Sequence, residues 1–263
     1  MKVFSFRNFR IVILLVLLAF VAFYTQAQQL NTTSWFLPIE VTIFPINGDG
    51  DPKTDLYIQR LSVKHFREID HFFARNAKRY HLITQQPIAT ILGKTINTHP
   101  PTPPEYGSTL AIMFWSLKLR YWAYQNTPDN KSNSHRIRLY VLYHQGKRGQ
   151  ALQHSLGLNK GLIGIIHAYA TPQQTQQNAV IMTHEILHTV GATDKYSYQD
   201  NQPIYPQGYA RPNKGMLYPQ KYAEIMAGRI PLSPTRSKIP ASLRRVIVGE
   251  TTAKEVNWIT TAE

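Results

Sequence analysis

Apolar and polar residues alternate from Ile39 to Ile46, the period-two pattern of a strand. Asn47-Gly48-Asp49-Gly50-Asp51-Pro52 interrupts it and reads as a turn. Its acidic spacing is close to that of a calcium loop. Pro52, however, stands where such a loop requires glycine, and no glutamate closes it. From Tyr57 to Tyr80, Leu61, His65, Ile69, Phe72 and Phe73 return at helical intervals and predict one long helix. Ile88 to Ile96 predicts a second strand, the proline-rich stretch Thr98 to Tyr106 a loop, and Leu110 to Gln125 an aromatic-rich helix. Ile137, Leu139, Val141 and Tyr143 alternate as a third strand, and Leu162 to Ala170 predicts a fourth. A last helix begins near Thr171-Pro172-Gln173-Gln174. Thr171 can cap it, Pro172 suits its first position and Gln174 can complete a capping box. No strong breaker follows before Val190. Ser197 to Tyr222 is irregular and rich in Tyr, Pro and Gln. Strands alternating with helices in this way predict an α/β domain with a small irregular C-terminal subdomain.

The last helix carries the candidate chemistry. His184-Glu185-Ile186-Leu187-His188-Thr189-Val190-Gly191-Ala192-Thr193-Asp194 has the spacing H-E-x-x-H-x-x-G-x-x-D. Two histidines four apart on a helix point the same way, so both imidazoles can reach one metal ion. Glu185 can hold a proton beside that ion. Gly191 lets the chain turn back, and Asp194 can close the site as a third ligand. Val180 and Leu187 share the histidine face, and Met182, Ile186 and Val190 fill a neighbouring apolar stripe. The pattern predicts a half-buried helix whose metal face looks into a cleft. The plain alternative is an amphipathic helix with surface or capping histidines.

This segment resembles the metzincin clan of zinc peptidases, in the minority form with a final aspartate found in snapalysin-type enzymes. The resemblance implies a zincin-like fold, a mixed twisted sheet backed by helices. It implies one zinc per chain on His184, His188 and Asp194, with Glu185 as general base. It also implies a methionine on a tight turn beneath the metal, for which Met226 in Ala223-Glu224-Ile225-Met226-Ala227-Gly228 is the candidate. Some metzincins carry a tyrosine two residues after that methionine; here the position is Gly228. Tyr222, Tyr218, Tyr198 and Tyr196 are therefore the candidates for oxyanion or substrate contacts, although any of the 15 tyrosines can equally be packing. Glu224 is a rival third ligand. By analogy with the family, Leu162 to Ala170 lies at the sheet edge above the cleft, where an extended peptide would pair with it. His167 would then lie near the cleft, and His144 and His154 would line a pocket or be exposed.

Three protein ligands leave a fourth position for water, the mark of a catalytic rather than a structural zinc site. The expected activity is that of a zinc metalloendopeptidase acting on peptide or protein substrates. The alternatives are a non-catalytic zinc-binding envelope scaffold and hydrolysis of a non-peptide amide such as a cell-wall cross-link. An intact Glu185 favours an enzyme, because a scaffold needs no base.

The N-terminus and the composition bear on location. Lys2, Arg7 and Arg10 precede or flank the start of an apolar run from Ile11 to Tyr24, and Thr25-Gln26-Ala27 is a mediocre cleavage site. Residues 1–27 are therefore expected to be a signal peptide or signal anchor, and residues 28–263 a domain outside the cytoplasm. The expected location is a single-pass placement in the cell membrane with a periplasmic or extracellular domain, or secretion after cleavage. The chain has no cysteine, which excludes disulfides and latency by a cysteine thiolate. Its net charge of +14 comes from scattered Lys and Arg. That pattern fits a solvated basic surface, or attraction to acidic polymers or anionic lipid. No nucleic-acid motif accompanies it.

Overall fold

A computed structural model describes residues 6, 8–16, 19, 33–104, 108–127, 136–146, 155–158 and 162–259. Its centre is a five-stranded sheet in the order β2-β1-β3-β5-β4. β1 (Ile39–Asn47), β2 (Ile88–Leu92), β3 (Arg136–His144) and β5 (Ile163–Tyr169) run parallel. β4 (Leu156–Leu158) pairs antiparallel with β5 and forms the edge. The sheet is mixed and helix-backed, as expected. β1, β3 and β5 are buried nearly end to end, because helices cover both faces of a largely parallel sheet.

The edge differs from expectation. The strand before the metal helix is β5, but β3 and β4 flank it on both sides. Over Ile163–Ile165 it therefore has no free edge to offer a peptide. β4 is three residues long and centred on Gly157, too short for alternation to reveal it.

The predicted long helix is two. α1 (Pro52–Gln59) starts on the Asp51 cap, and α2 (Arg67–Arg79) follows a 3-10 turn at Val63–Phe66. Ser62 breaks the run by adopting extended backbone. The His65 ring nitrogen lies 3.1 Å from the Ser62 backbone nitrogen and closes a capping box, so His65 serves the turn rather than the core. α3 is Thr109–Asn126, with Ser108 at its N-cap. Between α3 and the sheet lie Trp115, Leu119 and Ala123, packed on Phe44, Tyr140 and Leu142. The opposite face bears the main core. There Val41, Ile43, Leu139 and Val141 meet Ile69 and Phe72 of α2 and Ile186 and Leu187 of α4 (Thr175–Thr189). α4 starts after a 3-10 turn at Pro172–Gln174, and no side chain caps that turn.

Ser197 to Tyr222 is irregular, as expected, with only isolated bridges Tyr196–Pro203 and Tyr209–Ala223, and regular elements follow it. β6 (Ala223–Glu224) pairs with β9 (Val246–Ile247), β7 (Ile230–Ser233) pairs with β8 (Arg236–Lys238), and α5 (Glu250–Glu255) follows. The Trp35 indole N–H donates to the Val256 carbonyl at 2.6 Å, joining this part to the start of the sheet domain.

The expected single-pass membrane placement is corrected. Among the described residues, no helix is long and apolar enough to cross a membrane. Residues 25–27, the expected cleavage stretch, lie outside the described residues.

Candidate metal centre

α4 presents His184 and His188 one turn apart, and their Nε2 atoms lie 3.0 Å from each other. The helix then stops in a Schellman pattern. Ala192 N–H donates to Leu187 O, Gly191 N–H donates to His188 O, and Gly191 takes a φ of 109° that a side chain would resist. The chain turns back there and brings Asp194 Oδ1 to 3.1 Å from each Nε2. Among the described residues, His184, His188 and Asp194 form the one group of three side chains placed to hold a metal ion.

The protons argue for a cation at this point. His184 Nδ1 lies 3.1 Å from Ile225 O, and His188 Nδ1 lies 2.8 Å from Ala192 O. A carbonyl only accepts, so both Nδ1 atoms carry the hydrogen and both Nε2 lone pairs face inward. Three electron-rich atoms thus converge, and Asp194 Oδ1 is buried with no hydrogen-bond donor. Its 3.1 Å contacts are ion-pair distances that a neutral imidazole does not fill with a proton. Tetrahedral zinc ligands about 2.0–2.1 Å from the ion would sit about 3.3 Å apart, close to the observed spacings. Without an ion, burial would raise the Asp194 pKa, and protons on the inward-facing imidazole nitrogens together with the Tyr198 hydroxyl would outweigh it and hold the carboxyl far below its usual range; a cation takes the place of those protons.

Glu185 lies beside this triangle. It is buried, and its Oε2 also lacks a hydrogen-bond donor. Burial raises its pKa, and the neighbouring His184 and His188 only partly offset that. The edge strand passes directly over it. A Cβ on Gly157 would lie 2.6 Å from the Glu185 carbonyl oxygen and 2.7 Å from His188 Cβ, so only glycine fits there. Sequence reasoning gave Gly157 no role.

The loop bearing Asp194 is tethered from far along the chain. Thr193 donates to Glu255 through its backbone N–H at 3.0 Å and its hydroxyl at 2.7 Å. Lys195 is buried, and its ammonium lies 2.8 Å from Glu255. The Lys195 N–H donates to Met226 O at 3.0 Å, and the Tyr198 hydroxyl donates to Asp194 Oδ2 at 2.8 Å. Glu255 and Lys195 carried no motif that could have marked them.

Met226 lies fully buried in the 3-10 turn Ile225–Ala227, which Gly228 closes at φ +66°. The Ile225 carbonyl of this turn receives the His184 hydrogen, so the turn sits against the metal helix. Glu224, the rival ligand, is occupied elsewhere. Its Oε2 accepts from the Met226 and Ala227 N–H groups at 2.7 and 3.1 Å. Its Oε1 accepts from Gly249 N–H and the Thr252 hydroxyl at 3.0 and 2.8 Å. It braces the turn.

A cleft of about 350 Å³ opens beside the cluster, walled by Val180, Ile181, Ile225 and Ile239 and reached by Tyr196 and Arg229. Of the expected tyrosines, Tyr196 lines it. Burial, then the nearby Asp194 carboxylate, pushes the Tyr196 phenol up to about 12. Tyr218 instead shares a 2.8 Å hydrogen bond with Tyr209, and the Tyr222 ring packs beneath Arg211 and Lys221. His167 also lines the cleft and lies 2.9 Å from His144. Burial and then His144 lower its pKa to about 4, so it is neutral at pH 7. His154 lies outside the described residues.

No family model matches this chain, and no curated protein matches it. A functional reading therefore rests on the donor set and its surroundings.

Proposed function

We propose that this chain is a zinc-dependent metallopeptidase of zincin-like fold, with one zinc on His184, His188 and Asp194. One observation carries the reading. Two imidazole Nε2 atoms and a carboxylate oxygen converge at 3.0–3.1 Å, with the buried carboxylate of Glu185 alongside. Zinc held by three protein ligands would lower the pKa of a water molecule and polarise a carbonyl.

The chain's own residues supply the rest. Glu185 takes a proton from the attacking water and returns it to the leaving amine. The Tyr196 phenol stays protonated at neutral pH and can donate to a developing oxyanion in the cleft. The Ile225 and Ala192 carbonyls fix the tautomers of His184 and His188. The apolar cleft walls favour an extended peptide with an apolar side chain beside the scissile bond.

The test is zinc content of the purified chain beside hydrolysis of a peptide library, repeated for Glu185→Gln. About one zinc per chain in both proteins, with hydrolysis lost only in the variant, is the expected result. A folded chain that takes up no supplied zinc overturns the metal centre. Zinc without hydrolysis in the wild type points to the scaffold instead.

A further inference from the structure

We infer that the outer face of α3 is a docking surface for an anionic lipid bilayer, met by the helix lying flat. α3 is apolar on two opposite sides. Its inner stripe fills the second core through Trp115, Leu119 and Ala123. Its outer stripe comprises Leu110, Met113, Phe114, Leu117, Tyr121 and Tyr124, each 56–70 % exposed. At 3.6 residues per turn these six fall within about 100° of arc and extend about 21 Å along the helix. A helix that is apolar all round belongs inside a core, yet half of this one is open. Exposed apolar patches of this size mark interaction sites.

Charge selects the occupant. Lys118 borders the stripe on one side and Arg120 on the other, and residues 109–126 contain no Asp or Glu. A second copy laid on the same stripe would bring cations against cations with no carboxylate from either helix. A bilayer surface instead offers apolar depth below and phosphates beside the exposed Lys118. The +14 net charge of the chain adds to that attraction. Tyr121 and Tyr124 suit the boundary, with rings in the apolar layer and hydroxyls in the wet one. A deep apolar stripe flanked by cations is the arrangement of helices that lie in an interface. This is contact along a surface, not a span.

The absence of cysteine allows a direct test in the full chain. An environment-sensitive fluorophore is attached to Leu117→Cys, and in a second protein to Leu56→Cys, an exposed leucine of α1 on the other side of the sheet. Vesicles of phosphatidylglycerol and phosphatidylcholine should blue-shift the Leu117 probe and raise its emission roughly twofold or more. Phosphatidylcholine alone should have little effect. Salt at about 1 M, where screening acts within about 3 Å, should reverse the change, and Lys118→Glu should weaken it. The Leu56 probe should not respond. No response at Leu117, or an equal response at both sites, overturns the proposal. A blue shift without vesicles that grows with protein concentration also overturns it and assigns the stripe to a second copy.

Discussion

The candidate metal centre has two halves of different construction. His184, Glu185 and His188 ride on one regular helix, and the i, i+4 repeat alone aims the two imidazoles together. Asp194 and the Met226 turn are loop-borne and owe their positions to side chains far along the chain. Glu255 is 62 residues from the Thr193 it holds, and Glu224 reaches Gly249 and Thr252 across 25 and 28 residues. A helix supplies direction from its own hydrogen bonds, whereas a loop must import it. The helix half should therefore fail abruptly when its functional groups change, and the loop half should fail by degrees.

The largest effect belongs to the helix. Glu185→Gln should lower hydrolysis by about 10²–10⁴-fold while zinc content and melting temperature hold. A matching loss of zinc would show instead that Glu185 builds the site. Next comes the brace of the turn. Glu224→Ala leaves four buried donors unmatched and should cost about 3–5 kcal/mol by denaturant unfolding. A cost below about 1 kcal/mol would show that the turn stands without it.

The clamp on the aspartate loop should give a graded loss. Glu255→Gln is expected to weaken zinc binding by about 10–100-fold in a chelator competition. An affinity equal to wild type would mean that the turn at Gly191, the Lys195–Met226 backbone bond and the Tyr198 hydroxyl suffice to position Asp194.

Acid should reproduce part of that loss. Burial acts to raise the Glu255 pKa, but Lys195 and the Thr193 donors outweigh it and hold the group below its ordinary 4.5. Its stabilising contribution is therefore complete above about 4.5 and lost as pH falls through the lower folded value. Melting temperatures of the wild type and Glu255→Gln should converge on acidification through that window. Parallel curves would remove Glu255 from the acid response. The smallest effect is expected for Tyr198→Phe, which deletes one exposed hydrogen bond to Asp194. It should change zinc affinity by less than about tenfold.

What could be read from the sequence follows the same division. The histidine spacing, the turn at Gly191, Asp194 and the buried methionine turn all lie on local patterns, and the structure brings the three candidate ligands together. The parallel strands were legible because alternation or continuous apolar runs mark them. β4 escaped because three residues around a glycine carry no period, and with it went the identity of the sheet edge and the role of Gly157. The break between α1 and α2 escaped because His65 falls at a helical interval yet bonds back to Ser62. Glu224 and Glu255 escaped for a deeper reason: their partners are distant in sequence, and a lone carboxylate looks the same whether it ligates, braces or faces water. Tyr218 and Tyr222 show the converse, since proximity in sequence to the methionine turn did not bring them to the cleft.

The tether between Thr193 and Glu255 also sets an order of events at the ribosome. Polypeptides emerge N-terminus first at about 5–20 residues per second, so the 62 residues between the two partners take about 3–12 s. During that interval α4 can form, while the aspartate loop has nothing to hold it. A nascent chain would then present a two-histidine site of low affinity and no fixed third arm. The third candidate ligand is secured only when α5 arrives.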